Sequence, residues 1–424
     1  MLRMTNQIWK QTTKALAAIC LSALLAARVA AQATAPDLVT NINPALLYYQ
    51  SFVAAPNYSP ADLDYLYNAM SNSLRGEKLP DRFGELVSNC DNEFKLVHTA
   101  TRQTVPCDWG IDWSAGAETL LPQLARAKQV AQTARFRSAW DLQNGRQSEA
   151  CEDLIDTLAL ARRISRDSAV IGVLVDLAME NIICESAAEN FGQFSPESLR
   201  QLEDGLAAAP LRGTMADVAR DDRDMEEKFL AAKVMQLRRS HPGDDAAVMS
   251  DLRKYLNVYV EDQELWKKLP AASDGTSDGV LKLVDGVTPW RQRFTEVMDG
   301  PYRTFQGEWD KFEKDLAQSG NPLAELIFQP LGKGRVKEFR SEMNLAMLHA
   351  AIEYKLHGQA GLQSVPDPFG SGPFTLQRFT YQGVDCGFQL KSALTGTGFP
   401  SVFIFLEKDG TPVHLDGLHV GEPL

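Results

Sequence analysis

Residues 150–183 read ACEDLIDTLALARRISRDSAVIGVLVDLAMENII, and the spacing of apolar residues in this run decides the fold. Ala150, Leu154, Leu158 and Ala161 recur at intervals of three and four, as do Ile171, Leu174, Ala178 and Ile182. That spacing stripes one face of each of two helices, with Arg166-Asp167 as the turn between them. Asp176 and Glu180 interrupt the second helix, which is also too short to cross a bilayer, so it reads as a buried core helix. Upstream, Leu121, Leu124, Ala127, Ala131 and Ala134 stripe a helix that ends at Asn144-Gly145. Downstream, Ser195-Pro196-Glu197 caps a helix bearing Leu199, Leu202 and Leu206. Four helices with short connections predict antiparallel helical hairpins, a bundle or short solenoid, and a mainly α protein.

The pattern extends in both directions. Ser59-Pro60-Ala61-Asp62 combines a hydroxyl cap, a proline at the first helical position and a first-turn acid, predicting a helix to about Arg75. Residues 90–116 read as irregular. A charged helix spans Thr214 to about Arg239, and helices resume over 289–319 and 335–357. The run Ser-Asp-Gly-Thr-Ser-Asp-Gly within 271–288 reads as a linker. Phe374–Tyr381, Gly387–Leu390 and Ser401–Leu406 are rich in aromatic, β-branched and apolar residues, and Lys408-Asp409-Gly410 with Thr411–Leu415 reads as a turn and return strand. A small C-terminal antiparallel β-subdomain is expected. The expected division is therefore 1–31, signal peptide; 32–116, N-terminal helix and disulfide-linked loop; 117–270, helical hairpins; 271–288, linker; 289–360, helical segment; and 361–424, β-subdomain.

Arg3, Lys10 and Lys14 precede an apolar core from Ala15 to Ala27, and Val29-Ala30-Ala31 offers the small residues a signal peptidase needs. An exported chain, periplasmic or extracellular, with no membrane span after cleavage is the expectation. The 424 residues carry a formal net charge of −12. Removing the signal would strip four basic residues and no acid, leaving a still more acidic chain that nucleic acid and anionic lipid would repel. Cys90, Cys107, Cys151, Cys184 and Cys386 would remain. Cys90–Cys107 would close a turn-rich stretch, and Cys151–Cys184 would sit level on adjacent helices about the Arg166 turn. Buried free thiols are the alternative.

Gly145-Arg146 with Glu149-Ala150 and Leu154 resembles the start of the second helix of a tetratricopeptide-like hairpin. Asn43 to Gln50, Asp108 to Asp112, Leu121-Pro122-Gln123-Leu124 and the Gly145 hairpin together resemble a group of uncharacterised secreted bacterial proteins over residues 40–190. That resemblance implies an exported helical domain and no particular activity. Asp367-Pro368-Phe369-Gly370-Ser371-Gly372-Pro373-Phe374, with Gly387 to Leu390 and Ser392, is similar to the β-end of type II secretion pseudopilins, which implies a helix turning into a small sheet.

The candidate sites are few. Asp108, Trp109, Asp112 and Trp113 beside Cys107 could line a groove for sugar or peptide, or pack their loop onto the helices. Asp274, Thr276, Asp278 and Asp285 occupy positions 1, 3, 5 and 12 of a Ca²⁺ loop so degenerate that flexible linker is the favoured reading. Asp217, Asp221 and Asp224 share one helix face, interleaved with Arg220, Arg223 and Lys228 at ion-pairing spacing. His98, His241, His349, His357, His414 and His419 show no metal-ligand spacing, and no nucleophile elbow or phosphate loop occurs. No cofactor is implied. Two functions remain: a non-enzymatic helical binding or scaffold protein of the cell envelope with a protein or peptide partner, or an envelope hydrolase built from scattered carboxylates such as Asp108 and Asp112.

Overall fold

In a computed structural model the described residues are 41–74, 76–166, 169–220, 225–257, 263–381, 383–395 and 401–407. The expected signal peptide, Asp167, Asp221, Arg223, Asp224 and the turn and strand after Lys408 lie outside them. The helices are α1 Pro44–Ala54, α2 Pro60–Leu74, α3 Asp81–Ser88, α4 Asp91–Thr101, α5 Pro122–Gln143, α6 Gln147–Ser165, α7 Val170–Glu189 and α8 Pro196–Ala208. They continue with α9 Met215–Arg220, α10 Met225–Ser240, α11 Asp245–Asn257, α12 Gln263–Ala272, α13 Ser277–Asp285, α14 Thr288–Asp299, α15 Tyr302–Gln318 and α16 Pro322–Ser364. Strands β1 Thr375–Tyr381, β2 Val384–Lys391 and β3 Val402–Leu406 follow. The protein is mainly α with a small antiparallel sheet, as the periodicity indicated.

Several helix starts are written in the side chains. Ser59 Oγ accepts from the Asp62 amide at 3.1 Å while donating to the Asp62 carboxylate at 2.7 Å. Ser195 Oγ caps α8 at the Ser198 amide, and Thr214 exchanges bonds with Asp217 ahead of α9. Each cap satisfies an amide that the first helical turn leaves without a partner. Gly145, at φ +76°, makes the turn between α5 and α6 in a left-handed conformation that L side chains resist.

α5, α6 and α7 pack against one another, α8 closes on α6, and α16 lies along α7. Leu154, Leu158, Val173, Leu177, Ile183 and Ala187 join one buried cluster that continues through Phe294, Phe312 and Met347 into the sheet. The strand order is β1-β2-β3, antiparallel throughout, with Thr375 opposite Lys391 and Gly387 opposite Leu406. Phe388 and Phe405 meet Phe191, just after α7, at ring separations of 5.7 and 5.1 Å. The sheet thus completes the helical core. A smaller cluster, with Val234, Leu252, Leu269, Val280 and Val284, holds α10 to α13 together.

Three local expectations are overturned. Residues 90–116 are not irregular throughout: Glu93, Phe94, Val97 and Ala100 bury one face of α4. The stretch read as a linker carries α13, because Thr276 Oγ1 caps it at the Gly279 amide (3.0 Å) and Val280 and Val284 are buried. The expected disulfides are also absent: Cys90, Cys107, Cys151, Cys184 and Cys386 are free thiols. Cys90 precedes the eleven-residue α4, and Cys107 lies beyond its other end, close to Tyr48 and Tyr49. Cys90 instead lies 2.9 Å from the Tyr58 hydroxyl. Cys151 turns away from Cys184 toward α8, donating to the Ser198 carbonyl at 3.3 Å. Burial pushes the Cys90 and Cys151 thiols up to about 12 and raises Cys184 well above the ordinary thiol range.

Among the described residues no helix is long and apolar enough to cross a membrane.

Candidate functional site

The aromatic loop is a packing device. Trp109 is 3% exposed and stacks on Tyr48 and Phe52, with Tyr49 edge-on. Its Nε1 donates to the Arg163 carbonyl at 3.2 Å. The Arg163 guanidinium in turn donates to the Tyr48 hydroxyl and to the carbonyls of Ala100, Thr101 and Gln103, tying down the end of α4. Asn43, which caps α1, is bonded both ways to the Asp108 backbone. The two distant motifs behind the secreted-protein resemblance therefore touch. The Asp108 carboxylate accepts from the Gly110 amide at 2.9 Å and that of Asp112 from Ser114 at 2.8 Å. Each acid is used within its own loop, and the Ser114 bonds hold Asp112 below its ordinary range. Trp113 is half-buried at the start of a short 3-10 helix.

The Ca²⁺-loop residues are not brought together. Thr276 is a helix cap, Asp278 pairs with Arg238 at 2.7 Å, and Asp274 precedes the helix at φ +52°. Asp285 ends the helix, so positions 4 to 12 of the expected loop are helical. Asp217 pairs with Arg220, which also holds Asp299 at 2.7 Å. His98, His241 and His349 each face one carboxylate, from Asp156, Asp251 and Glu203. Among the described residues no group of three metal-ligating side chains converges.

Among the described residues, two concavities stand out. A cleft of about 310 Å³ lies between α3, α5 and the start of α6, lined by Ser88, Asp91, Arg137, Trp140, Asp141, Arg146 and Glu149. Its arginines are committed: Arg137 bridges Asp91 (2.5 Å) and Asp153 (2.8 Å), and Arg146 is held by Asp141. Asp153 and Glu93 lie beneath, both pushed up to about 7, chiefly by burial.

The larger concavity is an open groove of about 890 Å³ between α15 and α16, with α7 at one edge. Asp310, Glu313, Lys314 and Ala317 come from α15, Lys333, Gly334 and Lys337 from α16, and Leu174 from α7. The helices approach closely because Gly332 faces Trp309: a Cβ there would lie 2.2 Å from the indole. Lys314, Lys333 and Lys337 are exposed, and among the described residues none of them forms an ion pair. Among the described residues, no His, Cys, Ser or Tyr lines the groove.

Beneath the groove runs a buried charged seam. Glu180 of α7 is fully buried and accepts from Arg162 (3.1 Å), Arg212 (2.8 Å) and Ser341 (2.5 Å). Glu338 of α16 is likewise buried, pairs with Arg335 at 2.8 Å and accepts from the Met215 amide at 2.9 Å. Asp176 is different: it is fully buried, and among the described residues neither carboxylate oxygen has a hydrogen-bond partner within bonding geometry. Burial, and then the Glu180 carboxylate one turn along, push it up to about 8. A carboxyl in that setting takes a proton to avoid carrying an uncompensated charge out of water.

Sequence reasoning missed both features. The lysines sit at ordinary solvated-face spacing. Asp176 and Glu180 were visible as interruptions of an apolar run, but their arginine and serine partners come from other helices.

Comparison with protein-family models, with curated proteins and with solved structures finds no match.

Proposed function

We propose that this chain is an exported, non-enzymatic binding protein of the cell envelope whose groove between α15 and α16 receives a segment of a partner protein. The observation that carries the reading is the groove itself: about 890 Å³ and open, with three exposed lysines converging on it. A small-molecule active site encloses its ligand and places a few convergent polar groups around the reacting atoms. This groove instead offers long flexible side chains, two acids at one end and apolar patches from Leu174 and Ala317, which suits a peptide-like occupant. Export rests on the N-terminal charge and apolar pattern and on the resemblance over residues 40–190, which implies an exported helical domain.

The test is in-cell photo-crosslinking. A benzoylphenylalanine placed at Ala317 should give one reproducible adduct with an envelope protein. The same group at Val53, 87% exposed on α1, should not give that adduct. Absence of an adduct from Ala317, or the same adduct from both positions, removes the reading. Export is checked separately: the envelope-fraction protein should begin at Gln32, and an intact N-terminus in the cytosol contradicts it.

A further inference from the structure

Resting on that reading of the groove, we infer that its occupant is an acidic amphipathic segment of a partner protein, presenting two carboxylates about one helical turn apart with an apolar residue beside them. Lys333 and Lys337 lie four residues apart on α16, so they share one face at an axial rise of about 6 Å. Lys314 faces them from α15 across the groove. Leu174 supplies an apolar edge, extended on the same face of α7 by Ile171, which is 47% exposed. Asp310 lies one turn before Lys314 on the α15 wall, and Glu313 is the residue next to Lys314. A carboxylate attracted at the lysines is repelled there, which sets the register of the occupant.

The same features argue against a compact anion. Phosphate sites use backbone amides freed at helix N-termini or in nests. Here Lys333, Gly334 and Lys337 lie well inside α16, where main-chain amides are spent within the helix. The charge is instead spread over three side chains on two walls, which suits carboxylates distributed along a chain. A nucleic-acid strand would meet the field of a protein with a net charge of −12. For an acidic protein partner that field weakens long-range attraction, so recognition depends on local contact at the groove.

The experiment is fluorescence anisotropy with the full-length mature protein and two labelled amphipathic helical peptides. One carries leucines and glutamates at i, i+4 spacing, and the other has lysine at every glutamate position. The acidic peptide should bind and the lysine peptide should not. Binding should weaken as salt is raised, because exposed charges are screened over about 10 Å at 0.1 M. K333E/K337E should weaken binding about tenfold or more. K333Q/K337Q should fall between, with thermal melting of both variants unchanged as a check on folding. Equal binding of the two peptides, no loss in the charge-reversed variant, or full displacement by millimolar inorganic phosphate would overturn the inference. A specific Ala317 adduct with no acidic-peptide binding sinks the inference while leaving the groove a binding site; loss of both removes the parent reading as well.

Discussion

Among the described residues, Asp176 has no hydrogen-bond partner for either oxygen, and it has no exposure to water. The groups around it are Glu180 on its own helix, Ser165 and Arg162 of α6, and Arg212 ahead of α9. Burial and Glu180 raise its pKa, while Ser165 and the two arginines act weakly the other way. With a folded pKa of about 8 against about 3.9 unfolded, the folded protein holds a proton that the unfolded chain has released. The associated stability is fully present below about pH 4 and is lost as pH rises toward 8. Replacing Asp176 by Asn removes the titration. The difference in unfolding free energy between D176N and the native chain should therefore grow in favour of D176N from pH 4 to pH 8, by on the order of 5 kcal/mol. Denaturant melts across that window measure it, and a difference independent of pH would show that Asp176 does not take up a proton on folding. Asp153 and Glu93 are raised in the same direction by burial, but they are present in both proteins and cancel in the comparison.

The seam between α7 and α16 shows what single residues do to an element. Glu180 neutralises Arg162 and Arg212, each only 16% exposed, and accepts from Ser341 on α16. Glu180→Ala would leave two guanidiniums buried without their acid, the costly way to break a buried pair, at about 3–5 kcal/mol. Guanidinium unfolding of E180A should show that loss in midpoint, whereas a loss below about 1 kcal/mol would mean that water reaches the arginines. The helices were legible in the sequence because a stripe such as Ala150, Leu154, Leu158 is a local pattern with one physical meaning. The seam was not, because Arg162, Glu180, Arg212 and Ser341 are scattered over some 180 positions and only packing assembles them. The groove was hidden for a related reason. An exposed lysine at i, i+4 spacing looks the same on a solvated face as on the wall of a concavity, and what distinguishes them is Gly332, which lets Trp309 bring the opposite wall close. The misread stretches follow the same logic: α13 has a helix cap at Thr276 and buried Val280 and Val284, yet its Ser-Asp-Gly flanks carry stronger turn signals than its short apolar run carries helix signal.

At the scale of the molecule, the C-terminal sheet was expected as a subdomain, and its strands fall where the aromatic and β-branched runs placed them. Its packing gives it a larger part. Phe388, Phe403 and Phe405 are fully buried in the same apolar cluster as Leu154, Ile183 and Met347. Phe191, fully buried at the end of α7, is the ring on which Phe388 and Phe405 rest. Gly387 permits the close pairing of β2 with β3, since a Cβ there would lie 2.1 Å from the Phe405 carbonyl. A small three-stranded sheet that buries its face on helices draws its stability from that contact. The consequence is a linked loss. Phe191→Ala removes a ring from beneath the sheet and should cost about 3–5 kcal/mol. If sheet and hairpins share one cooperative unit, hydrogen exchange in F191A should speed up together in β2, β3 and the second half of α7, by a similar factor at each. Faster exchange confined to the strands, with α7 unchanged, would instead make the sheet a separately opening unit that only borrows the surface of the helices.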